Sequence, residues 1–126
     1  MKKVLLVISF VILSIASYSQ YHCYAVSMGS INSYTQRVTW NSDRAASLYI
    51  QCNDNTITID NVQQSIFYLY GHGVHDYTSE SEYTEWSAVD EEGLECKVTL
   101  QFFTNGNDCI MVRYKDIVVK YWISKI

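Results

Sequence analysis

The stretch Thr84-Glu85-Trp86-Ser87-Ala88-Val89, Asp90-Glu91-Glu92-Gly93, Leu94-Glu95-Cys96-Lys97-Val98-Thr99-Leu100-Gln101-Phe102 alternates apolar and polar side chains on both sides of an acidic turn. After Asn105-Gly106-Asn107 the alternation resumes with Ile110, Val112 and Tyr114, and again with Ile117, Val119 and Tyr121. A period of two marks strands with one buried face, so the region predicts an antiparallel β meander. Around Asn105-Gly106-Asn107 an odd loop of three or five residues is expected, facing Phe102 with Ile110, Leu100 with Val112 and Val98 with Tyr114. A two-residue loop would set apolar side chains opposite polar ones. Apolar parity resets at Lys115-Asp116. A straight strand there would turn Lys120 inward, so a turn is predicted.

The same reading extends towards the N-terminus. Leu48, Ile50 and Cys52 share a face, as do Ile57 and Ile59, and an Asp54-Asn55 turn pairs Cys52 with Ile57 and Ile50 with Ile59. Ser65–Tyr70 is apolar on both faces, as in a doubly covered strand. Tyr21–Met28 alternates, with Tyr24, Val26 and Met28 opposite Cys23, Ala25 and Ser27. A turn follows at 29–33, and then a strand from Tyr34 to Trp40. Gly71-His72-Gly73-Val74-His75-Asp76 and Ser79-Glu80-Ser81-Glu82 read as one long exposed loop. The expected fold is all-β, with about eight antiparallel strands in a small up-and-down barrel, the alternative being a two-sheet sandwich.

At 126 residues the chain is long enough for one domain. Lys2 and Lys3 precede the apolar run Val4–Ile15, and small residues at Ser17 and Ser19 complete the pattern of a secretory signal. Residues 1–19 are expected to be removed, leaving 20–126 as a single exported domain, periplasmic or extracellular, with no membrane span after cleavage. Without Lys2 and Lys3, seven of the nine basic residues remain against thirteen acidic ones. That balance argues against nucleic acid and anionic membrane as partners, since both require a basic face. The absence of proline and the eleven tyrosines also fit strands better than helices.

Three segments resemble a group of small, secreted, β-rich proteins of Bacteroidota whose function is unknown. They are Ile57-Thr58-Ile59 followed by Gln64-Ser65-Ile66-Phe67-Tyr68, then Val89-Asp90-Glu91-Glu92-Gly93-Leu94-Glu95-Cys96-Lys97-Val98, and Val112-Arg113-Tyr114-Lys115-Asp116 leading to Tyr121. The Asp-Glu-acidic-Gly-x-x-Cys turn is the most specific element. Members of that group carry a further cysteine where Ala88 stands here. The resemblance implies secretion and β structure, and it implies no reaction, ligand or catalytic residue.

Cys23, Cys52, Cys96 and Cys109 all lie in the exported part, where disulfides form readily. Face parity puts Cys52 and Cys96 with the core and Cys23 and Cys109 on the other face, which favours Cys52–Cys96 and Cys23–Cys109 pairs. His72 and His75, with Asp76 adjacent, make a His-x-x-His spacing that could hold a transition metal along with His22, but only as a weak candidate, because ligation needs convergent donors and polar loop histidines are the commoner case. No metal or other cofactor is expected. Asp90, Glu91, Glu92 and Glu95 lack the alternating ligands of a calcium loop and read as a solvated turn. Glu80, Glu82 and Glu85 could join them as the acid and base of a small hydrolase, but no spacing fixes their separation. No nucleophile elbow, phosphate loop or dinucleotide fingerprint occurs.

Among the aromatics, Trp40, Trp86 and Tyr121 take core parity. Trp122, Tyr49 and Phe103 take the opposite one and form a candidate binding surface for a protein or glycan. The reading that results is a non-catalytic binding or interaction module and not an enzyme. A lipocalin-like carrier of an apolar ligand is the alternative, and a carboxylate hydrolase ranks last.

Overall fold

A computed structural model describes residues 19–60 and 64–125. The signal sequence expected over 1–19 lies outside these residues except for Ser19, which opens the first strand. Nine strands follow in chain order: β1 (Ser19–Ile31), β2 (Val38–Trp40), β3 (Arg44–Cys52), β4 (Thr56–Asp60), β5 (Ser65–Tyr77), β6 (Ser81–Val89), β7 (Glu95–Phe103), β8 (Cys109–Arg113) and β9 (Ile117–Lys125). From β3 to β9 each strand pairs antiparallel with the next, and β1 pairs with both β3 and β9. The sheet therefore closes on itself through the β1–β9 pairing into an eight-stranded up-and-down barrel. β2 continues the β3 edge of β1, with Gly29 opposite Trp40 and Ile31 opposite Val38.

The registers explain why the pattern folds this way. Cys52 faces Ile57 and Ile50 faces Ile59, as the hairpin parity requires. Trp86 faces Val98, which faces Val112, and Leu100 faces Ile110, which faces Tyr121. Each apolar side chain thus meets apolar neighbours inside. Cys23, Ile50, Val98, Ile110, Val112 and Ile123 have almost no exposed surface and make the barrel's middle solid.

Four local expectations are corrected. In the β7–β8 hairpin the parity is right but the register lies two residues away, with Leu100 opposite Ile110 and Val98 opposite Val112. Asp108 explains the longer loop: its Oδ1 accepts the Phe103 N–H at 2.9 Å, occupying the donor the next ladder bond would use. The segment 29–33 is not a turn, because β1 continues to Ile31 and the reversal comes at Asn32–Arg37, where Gln36 N–H donates to the Asn32 carbonyl. Asn32 Oδ1 accepts from the N–H groups of Tyr34 and Thr35, which breaks the strand expected from Tyr34. Ser65–Tyr70 is covered only inside, by Phe67 and Leu69, while Tyr68 and Tyr70 are exposed outside.

The fourth correction concerns the expected loop at 71–82. It is strand: β5 runs to Tyr77 and turns into β6 through Thr78, Ser79 and Glu80. Tyr70 pairs with Ser87 and Val74 with Glu85, so Gly71, His72 and Gly73 together oppose Trp86. This is a bulge, and glycines suit it because Gly71 holds φ at +73° and Gly73 leaves room for the indole.

Candidate functional site

Strand direction sorts the loops into two ends. One end collects the start of β1, the turn 53–55, the β5–β6 turn, the loop 104–108 and the end of β9. The interior remains unfilled at this end. A cup of about 490 Å³ opens there, walled by Tyr21, Ile57, Leu69, Trp86, Leu100 and Phe102, with Ser19, Asn53 and Asp54 at its polar side. The volume lies in the range of small-molecule sites, which are concave and mostly apolar.

Each wall residue is placed by the alternation that closes the barrel. Tyr21 is paired with Ile50, Leu69 with Ala88, Trp86 with Val98 and Leu100 with Ile110, so all point inward. The rings of Tyr21 and Phe102 lie 6.3 Å apart at 47°, an offset arrangement that keeps both faces packed. Burial raises the Tyr21 phenol above its usual value against a hydrogen bond from the Ser19 side chain. Lys125 sets its ammonium 5.3 Å from the Phe102 ring. The bulge aims Trp86: a Cβ on Gly73 would stand 2.5 Å from the indole Nε1, so only glycine permits this ring position.

Cys52 also lines the cup. Burial pushes its thiol up to about 12, so it is protonated at neutral pH and acts as a soft apolar wall group rather than a nucleophile. All four cysteines are free thiols, and neither expected disulfide is formed. Cys52 and Cys96 do face inward, but on β3 and β7, with three strands between them. Cys23 lies on the core face, not on the opposite face that its parity predicts. A register shift between Cys23 and Ala25 reverses the alternation, so Cys23 points inward with Val26 while Cys109 sits opposite Trp122 on the outer side. Burial raises the Cys96 and Cys109 thiols to about 11.

The candidate outer aromatics Tyr49, Trp122 and Phe103 stand on β3, β9 and β7, no two of which are adjacent. Tyr49 on β3 is 55% exposed and stacks near His22, with ring centroids 5.4 Å apart. Phe103 ends β7, and between β3 and β7 on that side stand β1, β9 and β8. Trp122 is partly covered: its Nε1 donates to Ser27 Oγ at 3.2 Å, Ser27 in turn donates to Asp43, and Lys120 sits over its ring. Trp40, expected in the core, lies on this outer side at 39% exposure, with Lys120 Nζ 4.4 Å from its ring centroid. It follows Gly29, its partner, which the β1 bulge has turned outward.

His75 Nδ1 lies 2.8 Å from Thr84 Oγ1, and Nε2 lies 3.2 Å from Glu82. His22 bonds Ser47 on β3, on a different part of the wall. Among the described residues no three His, Cys, Asp or Glu side chains are grouped to hold a metal ion. Asp90 ties the acidic turn together, accepting from the N–H groups of Glu92 and Leu94 and from the Tyr114 hydroxyl at 2.8 Å. These bonds, the Leu94 N–H first, hold its carboxyl below the ordinary range. Glu82 and Asp90 stand at opposite ends of β6, about 26 Å apart at ~3.3 Å per residue. A glycosidase pair needs about 5–9.5 Å, so these two carboxylates share no centre.

The sequence pattern places Trp86, Leu100 and Phe102 simply on the core side and marks none of them, nor Tyr21 or Leu69, as a binding residue. Their shared signal is inward parity in the strand halves next to one set of loops, which becomes visible only once the registers around the barrel are known. No family model, curated protein or solved structure matches this chain. Among the described residues no helix is long and apolar enough to cross a membrane.

Proposed function

We propose that this chain is a non-catalytic binding barrel whose open cup takes a small, apolar, ring-bearing molecule. One observation carries the reading: a recess of about 490 Å³ walled by three aromatic and three aliphatic side chains at one end of the barrel, beyond its buried middle. A packed barrel of eight strands ordinarily fills its interior with its own side chains. Here the filling stops short of this end, and apolar surface is left facing water. Tyr21, Trp86 and Phe102 offer ring edges and faces to a flat ligand, and Asn53 and Asp54 at the entrance suit a single polar substituent left in water. The wall thiol is protonated, and among the described residues lining the cup Asp54 is the one carboxylate, which supports holding a ligand rather than transforming it. Expected export would place this carrier in the periplasm or outside the cell.

The test is titration with the uncharged fluorescent probe N-phenyl-1-naphthylamine. Wild type is expected to bind one equivalent with blue-shifted emission. Leu69→Trp, which fills the cup, is expected to weaken binding tenfold or more while leaving the far-ultraviolet circular dichroism of the barrel intact. Equal binding by both proteins would place the probe elsewhere and remove the cup from the reading.

A further inference from the structure

The outer wall carries a second feature, independent of the cup. Tyr70 on β5 faces Ser87 on β6, Ser87 faces Lys97 on β7, and Lys97 faces Arg113 on β8. With Glu95 and Lys115 they line a shallow groove of about 460 Å³. A chain with a net charge of −4 has acidic residues to spare, yet here it sets two cations directly opposite each other across a strand pair, an arrangement that destabilises a sheet. Neither cation is neutralised by a carboxylate. Lys97 Nζ donates to Ser87 Oγ at 2.8 Å, and Arg113 donates to the neutral Gln36 Oε1 at 3.0 Å. Among the described residues the one ion pair within 4 Å is His75 with Glu82, on the far half of β5.

We propose that this groove binds an acidic sugar, with Lys97 and Arg113 holding its anionic group and Tyr70 packing against its ring. The guanidinium presents a planar fork that matches an oxyanion in two parallel bonds, and the ammonium beside it adds a point charge. Lys115 extends the positive side, and Glu95, the groove's own carboxylate, is placed to accept from a sugar hydroxyl. Tyr70 is 48% exposed, and Tyr68, two residues earlier on the same face, is 49% exposed, so β5 forms an aromatic ledge along the cations. A shallow groove leaves the remaining hydroxyls of a saccharide in water, where their solvation is kept. An apolar ligand would gain little there.

The experiment is a calorimetric titration of the folded chain with two probes, an oligogalacturonate trimer and a sulfated heparin-derived tetrasaccharide. The trimer's methyl ester and inorganic sulfate serve as controls. Binding of at least one acidic sugar is expected, tenfold or more weaker for the neutral ester, and weakened tenfold or more by the double substitution K97Q/R113Q. Tyr70→Ala is expected to weaken the sugar several-fold without changing the binding of free sulfate. The urea midpoint of K97Q/R113Q is expected to stay level or rise, because a like-charge pair is removed, whereas a purely structural role would lower it. Uptake of N-phenyl-1-naphthylamine is expected to be unchanged, so failure here leaves the cup standing. Binding of neither sugar, equal binding of ester and acid, or indifference to K97Q/R113Q overturns the site. Sulfate binding as tightly as the sugars, regardless of Tyr70, overturns the sugar and leaves a phosphorylated or sulfated protein as the partner to seek.

Discussion

Gly73→Ala separates the shape of the cup from the stability of the barrel. Gly73 is not at positive φ, so alanine can adopt its backbone. The difficulty lies in space: the new Cβ would stand 2.5 Å from Trp86 Nε1 and 2.9 Å from Cδ1. Comfortable contact is about 3.5–4.0 Å, so the indole must retreat by roughly 1 Å. Held rigid, the site suffers overpacking of about 1–3 kcal/mol. The reduced freedom of the unfolded chain offsets about 0.4–1 kcal/mol of this. A net loss of about 0.5–2 kcal/mol is therefore expected in urea denaturation. Because the displaced ring forms a wall of the cup, affinity for N-phenyl-1-naphthylamine should fall too, about fivefold for each 1 kcal/mol of lost contact. Gly71→Ala is the control: it forces alanine to φ +73° with nothing within 4 Å, costing about 1–2 kcal/mol of strain while leaving the probe's affinity unchanged. A Gly73→Ala protein as stable and as competent for the probe as wild type would refute the claim that the bulge positions Trp86.

Three further outcomes follow from the same structure. Burial raises Cys52 to about 12, Cys109 to about 11 and Tyr121 to about 12. Raised acids stabilise the fold fully below their unfolded values, so stability should decline from about pH 9 as pH rises towards 12, by about 1.4 kcal/mol per pH unit for each group in its own window, as followed by urea midpoints across that range. Asp90 is depressed, so its contribution is present above its unfolded value and lost as pH falls. The gap in midpoint between wild type and Asp90→Ala should accordingly shrink below about pH 4. Alkylation after unfolding, without reductant, should label all four cysteines, whereas native labelling should be slow because three of them are buried; two or fewer labelled sites would mean that a disulfide forms.

Much of the barrel was legible because its signal is local. The Cys52–Ile57 and Ile50–Ile59 pairs follow from a two-residue turn and alternation alone, and the break at Lys115-Asp116 follows from where Lys120 must point. What escaped depends on single departures from that period. One extra residue after Cys23 reversed the face of Cys23 and carried Gly29 and Trp40 outward. Three residues opposite Trp86 turned an apparent loop into a bulged strand. Asp108 took the Phe103 N–H and shifted a register. Each is a backbone decision made by tertiary pairing, invisible to a pattern of side-chain types. The cup was hidden for a related reason: Tyr21, Trp86 and Phe102 look like ordinary core residues until closure brings their strand ends together at one mouth.

Native mass spectrometry of the protein purified from its own host, with a denatured spectrum of the same sample, bears most directly on the cup. The expected result is one added small-molecule mass in the native spectrum that vanishes on denaturation and is absent from Leu69→Trp. A bare native mass for wild type that stays bare in the presence of excess N-phenyl-1-naphthylamine would contradict the proposal that this barrel holds a ligand.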